Sequence, residues 1–145
     1  MEIIISHDKS EITPIELLEI YASIGWAKKD NPNAFENMSI ILQNTTDFVS
    51  ARDTSGKLIG IVKILSDKLV YTTVAEILVV PHLQKSGIGK KMMERVKEIY
   101  GYTPIFIAAF DYNKGFFESC GYKSRPNMLV ASKWFGRFPE PPENK

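Results

Sequence analysis

Between Glu76 and Lys91 the chain reads Glu-Ile-Leu-Val-Val-Pro-His-Leu-Gln-Lys-Ser-Gly-Ile-Gly-Lys-Lys, and no other stretch restricts the fold as tightly. An apolar, β-rich run ends at Pro81, which has no N–H to give to a ladder. From Gly87 to Tyr100 the period turns helical, with Ile88, Met92, Val96 and Ile99 or Tyr100 on one face and lysines opposite. The turn Gln84-Lys85-Ser86-Gly87-Ile88-Gly89 thus leads from a strand straight into an amphipathic helix. The first N–H groups of a helix have no internal acceptor and carry partial positive charge, which makes such a turn an anion site. Gly87 and Gly89 carry no Cβ to hold a phosphate off the backbone, and Lys85, Lys90 and Lys91 add charge around the turn. The ligand that suits it contains a pyrophosphate.

Glycine turns of this sort occur in several nucleotide binders. The Walker pattern fails because no Gly-Lys-Ser/Thr follows at its spacing, and the Rossmann pattern fails because only two glycines are present and the strand lies mid-chain after a hairpin. A glycine-bearing turn with a solvated lysine face is the bland alternative.

The flanking segments supply one mixed α/β unit. Glu2 to Ser6 reads as a strand. Thr13-Pro14-Ile15-Glu16 reads as a helix start: a capping threonine, a proline at the first helical position and a glutamate completing a capping box. Leu17, Leu18, Tyr21 and Ile24 continue the helical spacing, and Gly25 ends it. A second helix is predicted from Asn33, with Glu36 in its first turn. Phe48–Arg52 and Leu58–Leu65 form a hairpin about Asp53–Lys57, and Leu69–Val80 a longer strand. After the helix come a strand over Pro104–Phe110, a short helix over Asn113–Cys120 capped by Gly121, and a last strand over Met128–Trp134. Residues 1–138 are expected to form one domain, and the Pro-rich 139–145 a disordered tail.

Composition removes several function classes. A net charge of +1 argues against a nucleic-acid partner. Cys120 is the only cysteine, and His7 and His82 are the only histidines, so neither a disulfide nor a zinc-spaced cluster exists and no metal is expected. Without a signal-peptide pattern or an apolar run of about 20 residues, the chain reads as cytoplasmic, with no membrane partner.

Gln84, Gly87 and Gly89 match Gln/Arg-x-x-Gly-x-Gly/Ala, and here the sequence resembles the GNAT superfamily of acyl-CoA-dependent N-acyltransferases. Phe116-Phe117-Glu118-Ser119-Cys120-Gly121-Tyr122 looks like that family's Phe-Tyr-x-x-x-Gly-Phe block. Ile20-Tyr21 to Gly25-Trp26 is similar to a stretch in some small bacterial members. The resemblance spans the whole chain in element order and is close over residues 76–91 and 116–122.

It implies a mixed, mostly antiparallel central sheet with splayed fourth and fifth strands, helices on both faces, and acetyl-CoA as co-substrate. The backbone of Ile77, Leu78 and Val79 would pair with pantetheine, and the amides from Lys85 through Ser86, Gly87, Ile88 and Gly89 to Lys90 would meet the pyrophosphate, behind Gln84. The implied reaction is direct acetyl transfer to a primary amine, small molecule or protein, of unread identity. The alternative is a non-catalytic acyl-CoA-binding or regulatory protein on the same fold.

A primary alkylamine has a pKa near ~10.4 and must lose a proton before attack. Glu76 is the candidate base, with salt bridging as its structural alternative, and a backbone N–H near Leu78 or Val79 would hold the oxyanion. Where the family often carries a tyrosine as general acid, this chain has Phe117, expected to pack against coenzyme or core. Tyr112 is the candidate substitute, and Asn113 either touches pantetheine or caps the short helix. Cys120 reads as a small buried hydrophobe. Trp26, Phe35, Trp134, Phe135 and Phe138 are candidates for an acceptor pocket or a dimer contact.

Overall fold

A computed structural model describes residues 1–133. Five strands form one sheet in the order β1-β2-β3-β4-β5, with β1 Ile4–Ser6, β2 Asp47–Arg52, β3 Leu58–Ser66, β4 Thr72–Val79 and β5 Ile105–Ile107. All neighbours are antiparallel except β4 and β5. Four helices pack on it: α1 Pro14–Ser23, α2 Ala34–Asn44, α3 Ile88–Tyr100 and α4 Lys114–Ser119.

The two faces follow from register. Residues paired across an antiparallel ladder share a face, so Phe48, Ile61 and Leu78 lie on one side while Val49, Val62 and Ile77 lie on the other. α1 covers the first face with Leu17, Ile20 and Tyr21. α3 covers the second, its Met92 against Gly60 and the Tyr100 hydroxyl donating to Asp47 Oδ2 at 2.9 Å. Phe48, Ile59, Ile61, Ile64 and Met92 are all but sealed from solvent and form the centre of the core.

The start of α1 is built as its sequence implies. Thr13 Oγ1 accepts the Glu16 N–H at 3.1 Å, and Glu16 Oε1 accepts the Thr13 N–H at 3.0 Å. The same carboxylate takes both guanidinium nitrogens of Arg52, at 2.5 and 3.2 Å, while Arg52 also donates to the carbonyls of Gly56 and Glu11 at 2.8 Å each. One side chain therefore ties α1, the hairpin loop and the β1–α1 connection. Hydrogen bonding from Arg52 holds the Glu16 carboxyl below its ordinary value of 4.5, against an opposing effect of partial burial. A carboxylate lowered in the fold stabilises it above its unfolded pKa, and that contribution fades as pH falls through the lowered value. Glu16→Gln should therefore lower Tm by about 2–4 °C at neutral pH, roughly the effect of losing one cap. The difference should shrink below pH 4.5. A gap in Tm that is constant from neutral pH down to about pH 3 would dismiss this account.

β1 starts at Ile4 rather than Glu2, and three other strands differ more from their sequence expectations. β4 starts at Thr72 rather than Leu69, because Asp67 Oδ1 accepts the N–H groups of Leu69, Val70 and Tyr71 at 2.9 to 3.0 Å. Those amides are spent on a turn and cannot join a ladder. β5 spans only Ile105–Ile107, since β4 diverges beyond Val74 and Asn113 Oδ1 captures the Phe110 N–H at 2.8 Å. Over residues 128–133 there is no strand: the segment pairs with nothing among the described residues, and Leu129 is 92% exposed. Trp134 and the tail expected over 139–145 lie outside the described residues.

Candidate active site

The site is organised by one extra residue in β4. Lys63 pairs with Glu76 while the next residue of β3, Ile64, pairs with Val74, so Ala75 is bulged out of the ladder. The bulge changes parity. Were Ala75 paired within the ladder, Glu76 would share the face of Thr72 and Val74, beneath α3; with Ala75 bulged out, Glu76 joins Leu78 on the face of α1. There its Oε1 accepts the hydroxyl of Tyr21, across 55 residues of sequence, and lies 3.9 Å from Lys63 Nζ. Burial, then the charge of Glu76 and the hydrogen bond to it, push the Tyr21 phenol far above its ordinary range, so it remains a donor.

The same bulge separates the strands. Thr72, Val74 and the residue between them pair with Ile105–Ile107, and the Thr72 N–H donates to the Pro104 carbonyl at 3.1 Å. Past Ala75 no pairing to β5 exists. Hydrogen-bonded and non-bonded pairs alternate in an antiparallel ladder. The Val80 N–H donates to the Ile59 carbonyl at 3.0 Å, which sets Leu78 and Glu76 as the residues bonded to β3. The N–H and C=O of Ile77 and Val79 are consequently turned to the open edge. Leu78 is different: its polar backbone groups face β3 and its side chain is buried, so of the three strand residues expected at the coenzyme it alone presents nothing to the gap.

Gln84 also has a use that its motif position does not disclose. Its Nε2 donates to the Val79 carbonyl at 3.0 Å, so the amide side chain fastens the turn to the end of the strand. The turn then passes through two left-handed residues, Lys85 at φ 63° and Gly87 at φ 91°. Alternation of this kind aims successive N–H groups at one point. Ser86 Oγ is committed to the Leu83 carbonyl. The first intrahelical bond of α3 is Lys91 N–H to the Gly87 carbonyl at 3.1 Å. The N–H groups of Ile88, Gly89 and Lys90 have no acceptor among the described residues. Ile88 is buried, while Lys85, Lys90 and Lys91 are exposed around the turn.

The two glycines do unlike work. Gly87 needs its positive φ, and a Cβ there would meet nothing within 4 Å, so the space in front of it is open. A Cβ at Gly89 would stand 3.1 Å from the ring of Phe116 and 3.7 Å from Ile77 Cδ1. Gly89 is thus the floor on which α4 rests.

Phe117 is a core residue, 5% exposed and edge-on to both Phe116 and Tyr122. Tyr112 is exposed in the turn after β5 and stacks on Phe110 with centroids 5.5 Å apart. Asn113 is a local cap, as its bond to the Phe110 N–H shows. Cys120 is half-buried against the core, and burial pushes its thiol up. A broad open groove runs along β5 and touches Lys90 and Phe117, but neither Glu76 nor Ile77 to Val79 lines it. Trp134, Phe135 and Phe138 lie outside the described residues.

Tyr21 was not among the candidate catalytic residues. Its signal was the Ile-Tyr-x-x-x-Gly-Trp stretch, which the fold explains as a helix end. The Trp26 N–H bonds the Tyr21 carbonyl at 2.9 Å and the Gly25 N–H bonds that of Ala22 at 3.1 Å, with Gly25 at φ 80°. This Schellman closure sets the Trp26 ring beside that of Tyr21, centroids 6.4 Å apart.

Comparison with known proteins agrees with this geometry. An uncharacterised N-acetyltransferase of Pyropia yezoensis is 24% identical over 143 residues, covering 94% of this chain and 79% of the relative. The fold superposes on a GNAT-family acetyltransferase of Streptococcus pneumoniae with a TM-score of 0.76 at 20% identity, covering 94% of this chain and 100% of that one. It also matches AAC(6')-Iy, solved in complex with the bisubstrate analogue CoA-S-monomethyl-acetylneamine, at a TM-score of 0.68 and 13% identity, over 93% of this chain and 100% of the other. Residues 44–124, more than half of the 145, match the acetyltransferase (GNAT) domain. With its divided sheet, exposed strand edge and glycine turn in place, this chain belongs to the GNAT acetyltransferase family and is an acetyl-transferring enzyme.

Proposed function

We propose that this enzyme moves the acetyl group of acetyl-CoA directly to a primary amine, with Glu76 as the base and the open edge of β4 plus the turn from Gln84 to Lys90 as the coenzyme surface. The observation that carries the proposal is the bulge at Ala75, which both bares the Ile77 and Val79 edge and turns Glu76 to the face beside it. The residues fit the group. A pyrophosphate needs convergent donors, supplied by the free amides of Ile88, Gly89 and Lys90, with clear space before Gly87 and positive charge at Lys85 and Lys90. An amide-bearing arm needs an unpaired strand, supplied by Ile77 and the Val79 N–H. The AAC(6')-Iy structure, with a CoA-containing ligand on the same fold, supports this reading.

When bound, acetyl-CoA supplies a thioester as acyl donor. Glu76 takes the proton that an ammonium acceptor must shed, using the oxygen not engaged by Tyr21. The Val79 N–H faces the gap and is the backbone donor available for developing negative charge. Phe117 has no hydroxyl, and a thiol with a pKa near ~8.5 can leave without a strong acid. Tyr112, in the turn that follows β5, is the acid retained in this proposal. The reaction calls on no metal, nucleic acid or membrane. A cytoplasmic setting, a single domain over 1–138 and a homodimer belong to the same proposal.

The test is release of free thiol from acetyl-CoA with a panel of polyamines, amino acids, drug-like amines and peptides. CoA at a hundred times its dissociation constant should stabilise the fold by about 2.7 kcal/mol, a shift of several degrees in Tm. Neither thiol release nor any thermal shift would end this reading.

A further inference from the structure

Glu76 is held by a side chain from the opposite layer of the molecule. We infer that Tyr21 is a positioning residue for Glu76, fixing which carboxylate oxygen receives the acceptor's proton. The inference rests on Glu76 being the base.

Oε1 of Glu76 takes both the hydrogen bond and the ion pair that the carboxylate makes among the described residues, from the Tyr21 hydroxyl and, at 3.9 Å, Lys63 Nζ. Oε2 has no hydrogen-bond partner among them. A strand glutamate whose carboxylate turns freely about its last torsion divides its time among orientations, and only some of these point at a bound amine. A charge-assisted bond from a phenol removes most of that freedom. Tyr21 can serve as an anchor because it is itself immobile. It is 4% exposed in the α1 face of the core, and the helix carrying it is closed just past its last turn by Gly25 and Trp26. Its phenol keeps its proton, so the bond persists across working pH. The interaction leaves Oε2 as the open oxygen and keeps it on one side.

Tyr21→Phe fills the same space without the donor. It should lower kcat by about tenfold with KM for acetyl-CoA unchanged, and it should have no further effect in a Glu76→Gln background. Multiplicative losses in the double variant would overturn the role of Tyr21 while leaving Glu76 as base. A Tyr21→Phe enzyme with a lowered Tm and unchanged kcat would reduce Tyr21 to packing and also overturn it. If Glu76→Gln alone is fully active, the base assignment falls, and the inference with it. Should the phenylalanine variant not fold, 3-fluorotyrosine at position 21 keeps the shape and alters the hydroxyl as a donor. It should change kcat by about twofold or more, and an unchanged kcat would count against the proposal.

Discussion

Glu76→Gln should lower kcat by about a hundredfold or more at neutral pH, the ordinary scale for a positioned base. The glutamine keeps the shape and can still meet the Tyr21 hydroxyl through its carbonyl oxygen, so the loss reports proton transfer rather than packing. Because the acceptor's pKa lies near ~10.4, a growing share of it is already neutral as pH rises, and the variant should recover relative to the parent enzyme. Acetyl-CoA affinity should be unaffected, since Glu76 is on the α1 face and the coenzyme surface is made of backbone at Ile77, Val79 and the turn. A ratio of rates that stays constant from pH 7 to pH 10 (about the acceptor's own pKa) would remove Glu76 from the base role.

Gly87→Glu is the second large effect. It should weaken acetyl-CoA binding by about a hundredfold or more, because it places a like charge where the phosphates would lie. Two causes act together there. The backbone at φ 91° is one that residues with a Cβ enter only at a cost, and the space ahead of Gly87 is otherwise empty. Gly87→Asn separates them, since asparagine accepts the left-handed conformation and brings no charge. It should bind nearly as the parent does. Isothermal titration with CoA on both variants, with circular dichroism to establish folding, decides the matter. A folded Gly87→Glu protein with parental affinity would move the coenzyme away from this turn.

Much of this was legible because it is local. The capping box of Thr13 and Glu16, the helical face of Ile88, Met92, Val96 and Tyr100, and the glycine that starts α3 are each settled within a few residues. What escaped depends on distance or competition. Leu69 to Tyr71 are β-formers by type, yet a single aspartate two residues upstream claims their amides. Residues 128–133 have strand composition but no neighbouring strand among the described residues to complete it. Gly89 reads as a phosphate glycine, and only the arrival of α4, with Phe116, shows what it also makes room for. Tyr21 and Glu76 meet only once α1 is laid across the sheet, so neither residue's surroundings in sequence announce the other.

Ala75 is exposed, and its methyl group meets no demand that another small side chain would fail. Its importance is arithmetical: it makes the stretch from Val74 to Glu76 one unit longer than the opposing strand. A position that matters by being counted, rather than by the chemistry it carries, tolerates exchange of letters there. Comparing aligned identities would pass over such a position, yet deleting Ala75 would leave Val74 opposite Ile64 and Glu76 opposite Lys63, so what the extra codon supplies is the kink in β4 and not the side on which the carboxylate stands.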